Sequence, residues 1–166
     1  MNTLLPALEA KFAAVTYNGK PRWSAVKIAS DRGLVDNYKA RWNTGLFFWS
    51  QSTERKDSKI SNLLKEVLTV SALIIINVPK KGNQEEVLTD ANYGMGALSQ
   101  VLWDGLRTDK TVGGVVDGLD IPYRTKDFEI PATMGGLQQT ALARRHIFTF
   151  YRETESWGDP VCPETI

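Results

Sequence analysis

The 166-residue chain contains one cysteine, Cys162, and one histidine, His146. A single thiol closes no internal disulfide and builds no multi-cysteine metal site, and it suits a reducing cytosol. No Asp-x-Asp or Glu-x-x-His spacing is present to hold a cation, so metal catalysis has no support. Long hydrophobic runs are also missing. The richest, Ser71 to Val78, falls far short of the roughly 18 apolar residues that a membrane span needs, which predicts a soluble chain with no membrane partner. The N-terminal stretch MNTLLPALEAKF lacks a basic region and a small-residue cleavage site, and predicts no export signal. Formal net charge is +1, so the chain as a whole offers no electrostatic case for binding nucleic acid or lipid.

What charge there is lies unevenly. Lys20, Arg22, Lys27, Arg32, Lys39 and Arg41 outnumber Asp31 and Asp36 early in the chain, whereas Glu153, Glu155, Asp159 and Glu164 dominate its end. Two readings stay open: two solvated faces, or opposite ends suited to head-to-tail self-association.

Leu4, Leu8, Phe12 and Val15 recur at near-helical spacing, with Thr3 placed to cap and Pro6 in the first turn, where its missing N–H is harmless. Asn18-Gly19 and Pro21 break that helix. Trp23 to Ile28 is compatible with a short strand or a helical turn. Gly45 to Ser50 reads as a short aromatic strand, and Glu54 to Lys59 as a charged loop or an edge. Leu68, Val70, Ala72, Ile74, Ile76 and Val78 then occupy every second position of a long strand with one dry face. Ile60 to Leu68 also admits a helical reading.

From Thr89 or Asp90, Ala91, Met95, Leu98, Val101, Leu102 and Leu106 share one helical face, and Gly94, Gly96 and Gly105 are expected to serve close packing. Leu119, Ile121 and Tyr123 begin a strand, Arg124 to Gln139 reads as a long loop, and Thr140 to Arg152 as a closing strand. These elements predict a single α+β domain over residues 1–153: an antiparallel or mixed sheet of about four strands packed against an N-terminal and a central helix. Residues 154–166, with Pro160 and Pro163, are expected to form an extended arm.

Chemistry is sparse. Gly94-Met-Gly-Ala-Leu-Ser99 approaches a dinucleotide fingerprint, but no strand runs straight into it and Ser99 replaces the last glycine. Thr111-Val-Gly-Gly114 lacks the Lys-Ser/Thr ending of a phosphate loop. His146 lies mid-strand, with no nucleophile in an elbow-type motif to serve. The aromatics Trp23, Trp42, Phe47, Phe48 and Trp49 fit either a base-stacking surface or core and interface anchors, and the latter is favoured. No catalytic, cofactor-binding or metal site is therefore expected, which leaves a structural or assembly role.

The order of elements, together with one motif, resembles the tail terminator, or tail completion, proteins of long-tailed bacteriophages. The corresponding parts are the helix Leu4 to Val15, the strands Leu46 to Trp49 and Leu68 to Val78, and the helix Asp90 to Arg107. After them come the turn Thr111-Val112-Gly113-Gly114 and the strands Leu119 to Tyr123 and Ala143 to Arg152. Within this resemblance Gly113 and Gly114 form a structural turn, reversing the backbone with positive φ while Val112 tucks beneath the helix end.

The resemblance implies a virion protein assembled in the host cytoplasm. It would form a homo-oligomeric ring, usually of six subunits, that caps the last ring of the tail-tube protein, stops tail elongation and offers a surface to head or neck connector proteins. Phage DNA would pass through the channel without specific binding. Candidate interface residues are Trp49, Glu54, Arg55, Lys56, Lys59, Arg124, Lys126 and Trp157. The alternatives are another head-to-tail joining protein, or a small cytosolic enzyme centred on His146.

Overall fold

A computed structural model describes residues 1–29, 44–57, 63–78, 89–134 and 137–155. Helix α1, Leu4–Ala13, sends Leu4, Leu8 and Phe12 into the core, which is the stripe expected from their spacing. Thr3 occupies the N-cap position, yet its side chain makes no capping bond. A two-residue hairpin follows, β1 (Thr16–Tyr17) with β2 (Lys20–Pro21). Its turn residues Asn18 and Gly19 have φ of 52° and 75°, the paired positive values that suit the twist of a tight hairpin. The guanidinium of Arg22 lies 4.6 Å from the Tyr17 ring centre and 5.5 Å from that of Tyr93, which ties this hairpin to the turn ahead of the second helix.

Among the described residues the main sheet has five strands in the order β3-β4-β5-β7-β6. Strand β3 (Ala25–Ile28) runs parallel to β4 (Thr44–Asp57), and all other neighbours are antiparallel, including β5 (Leu63–Val78), β6 (Gly118–Met134) and β7 (Leu137–Glu155). Ser24 and Thr44 lock the start of the parallel pair reciprocally: the Ser24 N–H donates to Thr44 Oγ1 at 3.1 Å and the Thr44 N–H to Ser24 Oγ at 3.4 Å. The fold is thus α+β, with a mixed sheet one strand larger than expected.

Helix α2, Met95–Thr108, starts several residues later than its apolar periodicity proposes, with Gly94 as N-cap. Asp90 organises the preceding turn instead, accepting the N–H groups of Asn92 at 2.9 Å and Tyr93 at 2.6 Å. Those two donors stabilise the ionised form and hold the Asp90 carboxyl below its ordinary range. Ala91 falls outside the helix and is exposed. Of the helical glycines, only Gly105 is shown to serve close packing: a Cβ there would sit 2.8 Å from Cε1 of Phe12, whereas a Cβ at Gly96 would meet nothing within 4 Å.

Both helices cover one face of the sheet, where Met95, Leu98, Leu102 and Leu106 join Leu46, Phe48, Leu68, Val70, Ile74, Phe148 and Phe150 in the core. The expectation of one dry face for β5 requires correction. From Val70 to Ile76 every residue is buried, including Ser71, Leu73 and Ile75 on the face away from the helices. Their neighbours Phe47 and Ala143 are buried as well. Alternation appears only in the first half of β5, from Lys65 to Val70.

Two open alternatives are resolved, and two further expectations are overturned. Glu54 to Asp57 continues β4, in register with Val67 to Leu64, and residues 63 to 68 are strand throughout. Arg124 to Gln139, read as a long loop, forms the tip of the β6–β7 hairpin, apart from residues 135 and 136, which lie outside the described residues. Pro131 is accommodated because β6 is the last strand of the sheet, where a missing N–H leaves no ladder bond unmade on the outer side. β7 extends to Glu155, so residues 154 and 155 are strand and not arm; residues 156–166 lie outside the described residues.

Candidate functional site

The glycine turn is built around an anion that the chain supplies itself. The Asp109 carboxylate follows the last residue of α2 and accepts the N–H of Gly113 at 2.7 Å through one oxygen. Through the other it accepts the Thr111 N–H at 3.2 Å and the Thr111 hydroxyl at 2.8 Å. The Thr111 hydroxyl oxygen in turn accepts the Gly114 N–H at 3.1 Å. These bonds, the Thr111 hydroxyl first and the Gly113 N–H next, hold the Asp109 carboxyl below its ordinary range. Lys11 Nζ stands 3.5 Å from the same carboxylate, so the turn also fastens α2 to α1.

Three successive residues take positive φ: Val112 at 50°, Gly113 at 69° and Gly114 at 83°. The first is a costly conformation for a β-branched residue, and it is accompanied by burial of the Val112 side chain in the core beneath the helix. The donors that a phosphate would need in this loop are already engaged by Asp109 and Thr111.

The His146 imidazole is 1% exposed. Its ring stacks on Phe148 at 6.1 Å between centres, and Trp103 lies edge-on at 6.5 Å. Ser99 Oγ lies 3.2 Å from His146 Nε2 and accepts a bond from Arg144 at 3.2 Å. Ser99, the residue that broke the dinucleotide fingerprint, therefore acts in packing between α2 and β7. Among the described residues no group of three or more His, Cys, Asp or Glu side chains is placed to hold a metal ion. No helix among them is long and apolar enough to cross a membrane.

The candidate interface residues divide into four sets. Glu54 and Arg55 are exposed on the distal half of β4, and Lys56 continues the same strand in register with Lys65. Arg124 and Lys126 lie on the outermost strand β6, opposite Ile147 and Arg145. The first group was expected on a charged loop or an edge and the second on a long loop; both are found on strands. Lys59 and Trp157 lie outside the described residues. Trp49 is corrected from contact surface to internal packing: it is 4% exposed, with the Arg145 guanidinium 5.2 Å from its ring centre.

Sequence reasoning missed the polar cluster beside Trp49. A bulge leaves Gln51 outside the β4–β5 register, and Gln51 Oε1 accepts bonds from the Ser71 hydroxyl and the Arg145 guanidinium. Arg145 also donates to Ser71 Oγ at 3.0 and 3.1 Å. No local pattern announces it, because its members come from three strands. Asp109 left a readable signal, an acid two residues before Thr111 and four before Gly113.

Compared with known proteins, the chain matches no protein-family model and no curated sequence.

Proposed function

We propose that the chain is a tail terminator of a long-tailed bacteriophage, a structural protein that works as a ring of its own copies. The observation that carries this reading is the Thr111-Val112-Gly113-Gly114 turn, which ends α2 and delivers the chain into β6; it is the motif on which the family resemblance rests. Support of a second kind comes from the placement of polar and charged residues. The histidine and its serine partner are packed away between helix and sheet, while Glu54, Arg55, Arg124 and Lys126 lie on strands at the borders of the sheet.

The work of such a protein is steric and interfacial. One axial surface of the ring seats on the last tube ring and denies the next tube subunit its place, while the opposite surface receives head or neck proteins. The passage at its centre lets DNA through without reading it.

The test is capping. Purified tail tubes mixed with the protein are expected to stop elongating when tube subunits are added, and electron microscopy is expected to show one extra ring at one end. Tubes that keep growing, with the protein bound instead to portal particles, would move the assignment to a neck protein.

A further inference from the structure

The glycine turn engages its donors internally, and the cluster beside Trp49 does the reverse. It lies on the sheet face away from the helices, where β4, β5 and β7 bring Gln51, Ser71 and Arg145 together. Ser71 Oγ accepts from Arg145 Nε at 3.1 Å and from Nη2 at 3.0 Å, and its own O–H donates to Gln51 Oε1. Gln51 Oε1 also accepts from Arg145 Nη2. Each of these oxygens offers two lone pairs, so both are filled. What remains is all donor. The Nη1 hydrogens of Arg145 and the Nε2 hydrogens of Gln51 meet no acceptor among the described residues, and neither does the buried indole N–H of Trp49.

The charge is unmatched as well. Farther along β7, Arg152 donates to the Glu66 carboxylate from Nε at 3.1 Å, whereas Arg145 meets no carboxylate among the described residues. Its same-face neighbours Leu73, Ala143 and Ile147 are uncharged. The residue paired with it on β6 is Lys126, and Arg124, two positions away, pairs with Ile147. Arg124, Lys126 and Arg145 thus occupy adjoining positions on one face with no acid at the positions among them. Like charges opposite each other across two strands are unfavourable, and an anion placed between them removes that cost.

The guanidinium is both accessible and fixed. Arg145 is half-buried and Gln51 exposed, and the free Nη1 and Nε2 atoms reach solvent. The Trp49 ring supports the guanidinium at 5.2 Å, and the bonds to Ser71 and Gln51 set its plane. Gln51 itself sits on the bulge of β4, a distortion that redirects a side chain out of the regular ladder. A ligand at this spot therefore meets donors already held in place, with little further ordering of side chains to offset.

We infer that this cluster binds a phosphate monoester, whose oxygens accept from Arg145 Nη1 and the Gln51 amide while Trp49 and Ser71 hold the guanidinium in place. The free groups are donors only, and an ionised phosphate presents acceptors. Charge selects the class. Near neutral pH a phosphate monoester carries about −1.5 to −2, which matches more than one cationic position, whereas a carboxylate or a phosphodiester carries a single charge. Such a group is borne by a small phosphorylated compound or by a phosphorylated protein side chain, and the binding chemistry is the same. The site stands on this arrangement alone and does not rest on the assembly proposed above.

Nuclear magnetic resonance of the full chain tests the inference by following the Arg145 Nε–H and Gln51 side-chain amide signals as inorganic phosphate is added at constant ionic strength. The two signals are expected to move together and saturate, with acetate and dimethyl phosphate binding at least about tenfold more weakly. Gln51→Glu sets a carboxylate among the donors from an exposed position; it should weaken phosphate by about tenfold or more while the backbone signals of the sheet stay in place. Arg145→Lys, which keeps the charge and loses the planar fork, should weaken it by a similar factor. A short neutral peptide carrying phosphoserine separates the sources: binding about tenfold tighter than inorganic phosphate assigns the group to a phosphorylated protein, and equal binding assigns it to small phosphorylated compounds. No saturation, an equal response to acetate or chloride, which would mean an adventitious ion only, or undiminished binding by Gln51→Glu each overturns the site and leaves tube capping to its own test.

Discussion

The Asp109 carboxylate accepts the Gly113 N–H at 2.7 Å, so the turn that leaves α2 closes on a charge belonging to the residue where it begins. Replacing Asp109 with Ala removes the acceptor for the Thr111 and Gly113 donors, and a loss of about 1–2 kcal/mol in denaturant unfolding is expected. Thr111→Val, which keeps the shape and loses the hydroxyl, should cost less.

The same residue gives stability a pH dependence. Its folded-state pKa is lowered from 3.8, so its contribution is fully present above that value and disappears as pH falls through the folded-state value. Wild type should therefore lose stability below about pH 4 more steeply than Asp109→Ala. Thermal melts between pH 2 and pH 6 check this, and parallel curves would contradict it.

Gly113 isolates the cost of backbone conformation. A Cβ there would meet nothing within 4 Å, yet φ is 69°. Gly113→Ala should cost about 1 kcal/mol, and Gly113→Asn distinctly less, because asparagine tolerates the left-handed region. Urea midpoints of the two variants decide the point, equal values being the adverse result.

Gly105 isolates packing instead. Gly105→Ala would drive its methyl group onto the Phe12 ring at 2.8 Å and should destabilise by about 1–3 kcal/mol. Trimming the obstacle in a Gly105→Ala, Phe12→Leu double variant should recover part of that loss beyond additivity, measured as a double-mutant cycle.

Glu9→Ala removes the acceptor of the Ile28 N–H. The expected result is faster exchange at the Ile28 amide with a stability loss of about 1 kcal/mol or less. Self-association should increase if the uncovered edge of β3 now accepts strands.

The sequence showed most where periodicity and burial coincide. α1 and the body of α2 each bury one stripe, so the spacing of Leu4, Leu8 and Phe12, or of Leu98, Leu102 and Leu106, sufficed to find them. The Asn18-Gly19 turn was equally legible, since its backbone demands those residues. Strand signals failed where burial departs from alternation. Ser50 to Arg55 is exposed on both faces and so resembles a loop, whereas Val70 to Ile76 is buried on both and hides its second face. β6 was obscured by Pro131, which only a border position accommodates. Among the candidate contact residues, side-chain type was a fair guide to exposure for Glu54 and Arg55 and a poor one for Trp49, whose ring packs against Arg145.

The two long hairpins turn at opposite ends of the molecule and meet along β5 and β7, in register from Leu63 opposite Glu155 to Val78 opposite Thr140. A load that draws the hairpin tips apart along the strands would act on this whole ladder in shear, straining all its hydrogen bonds at once. Unzipping, which breaks bonds singly from one end, is not available in that direction. The molecule should therefore be mechanically stiff along its strands and far weaker when pulled across them.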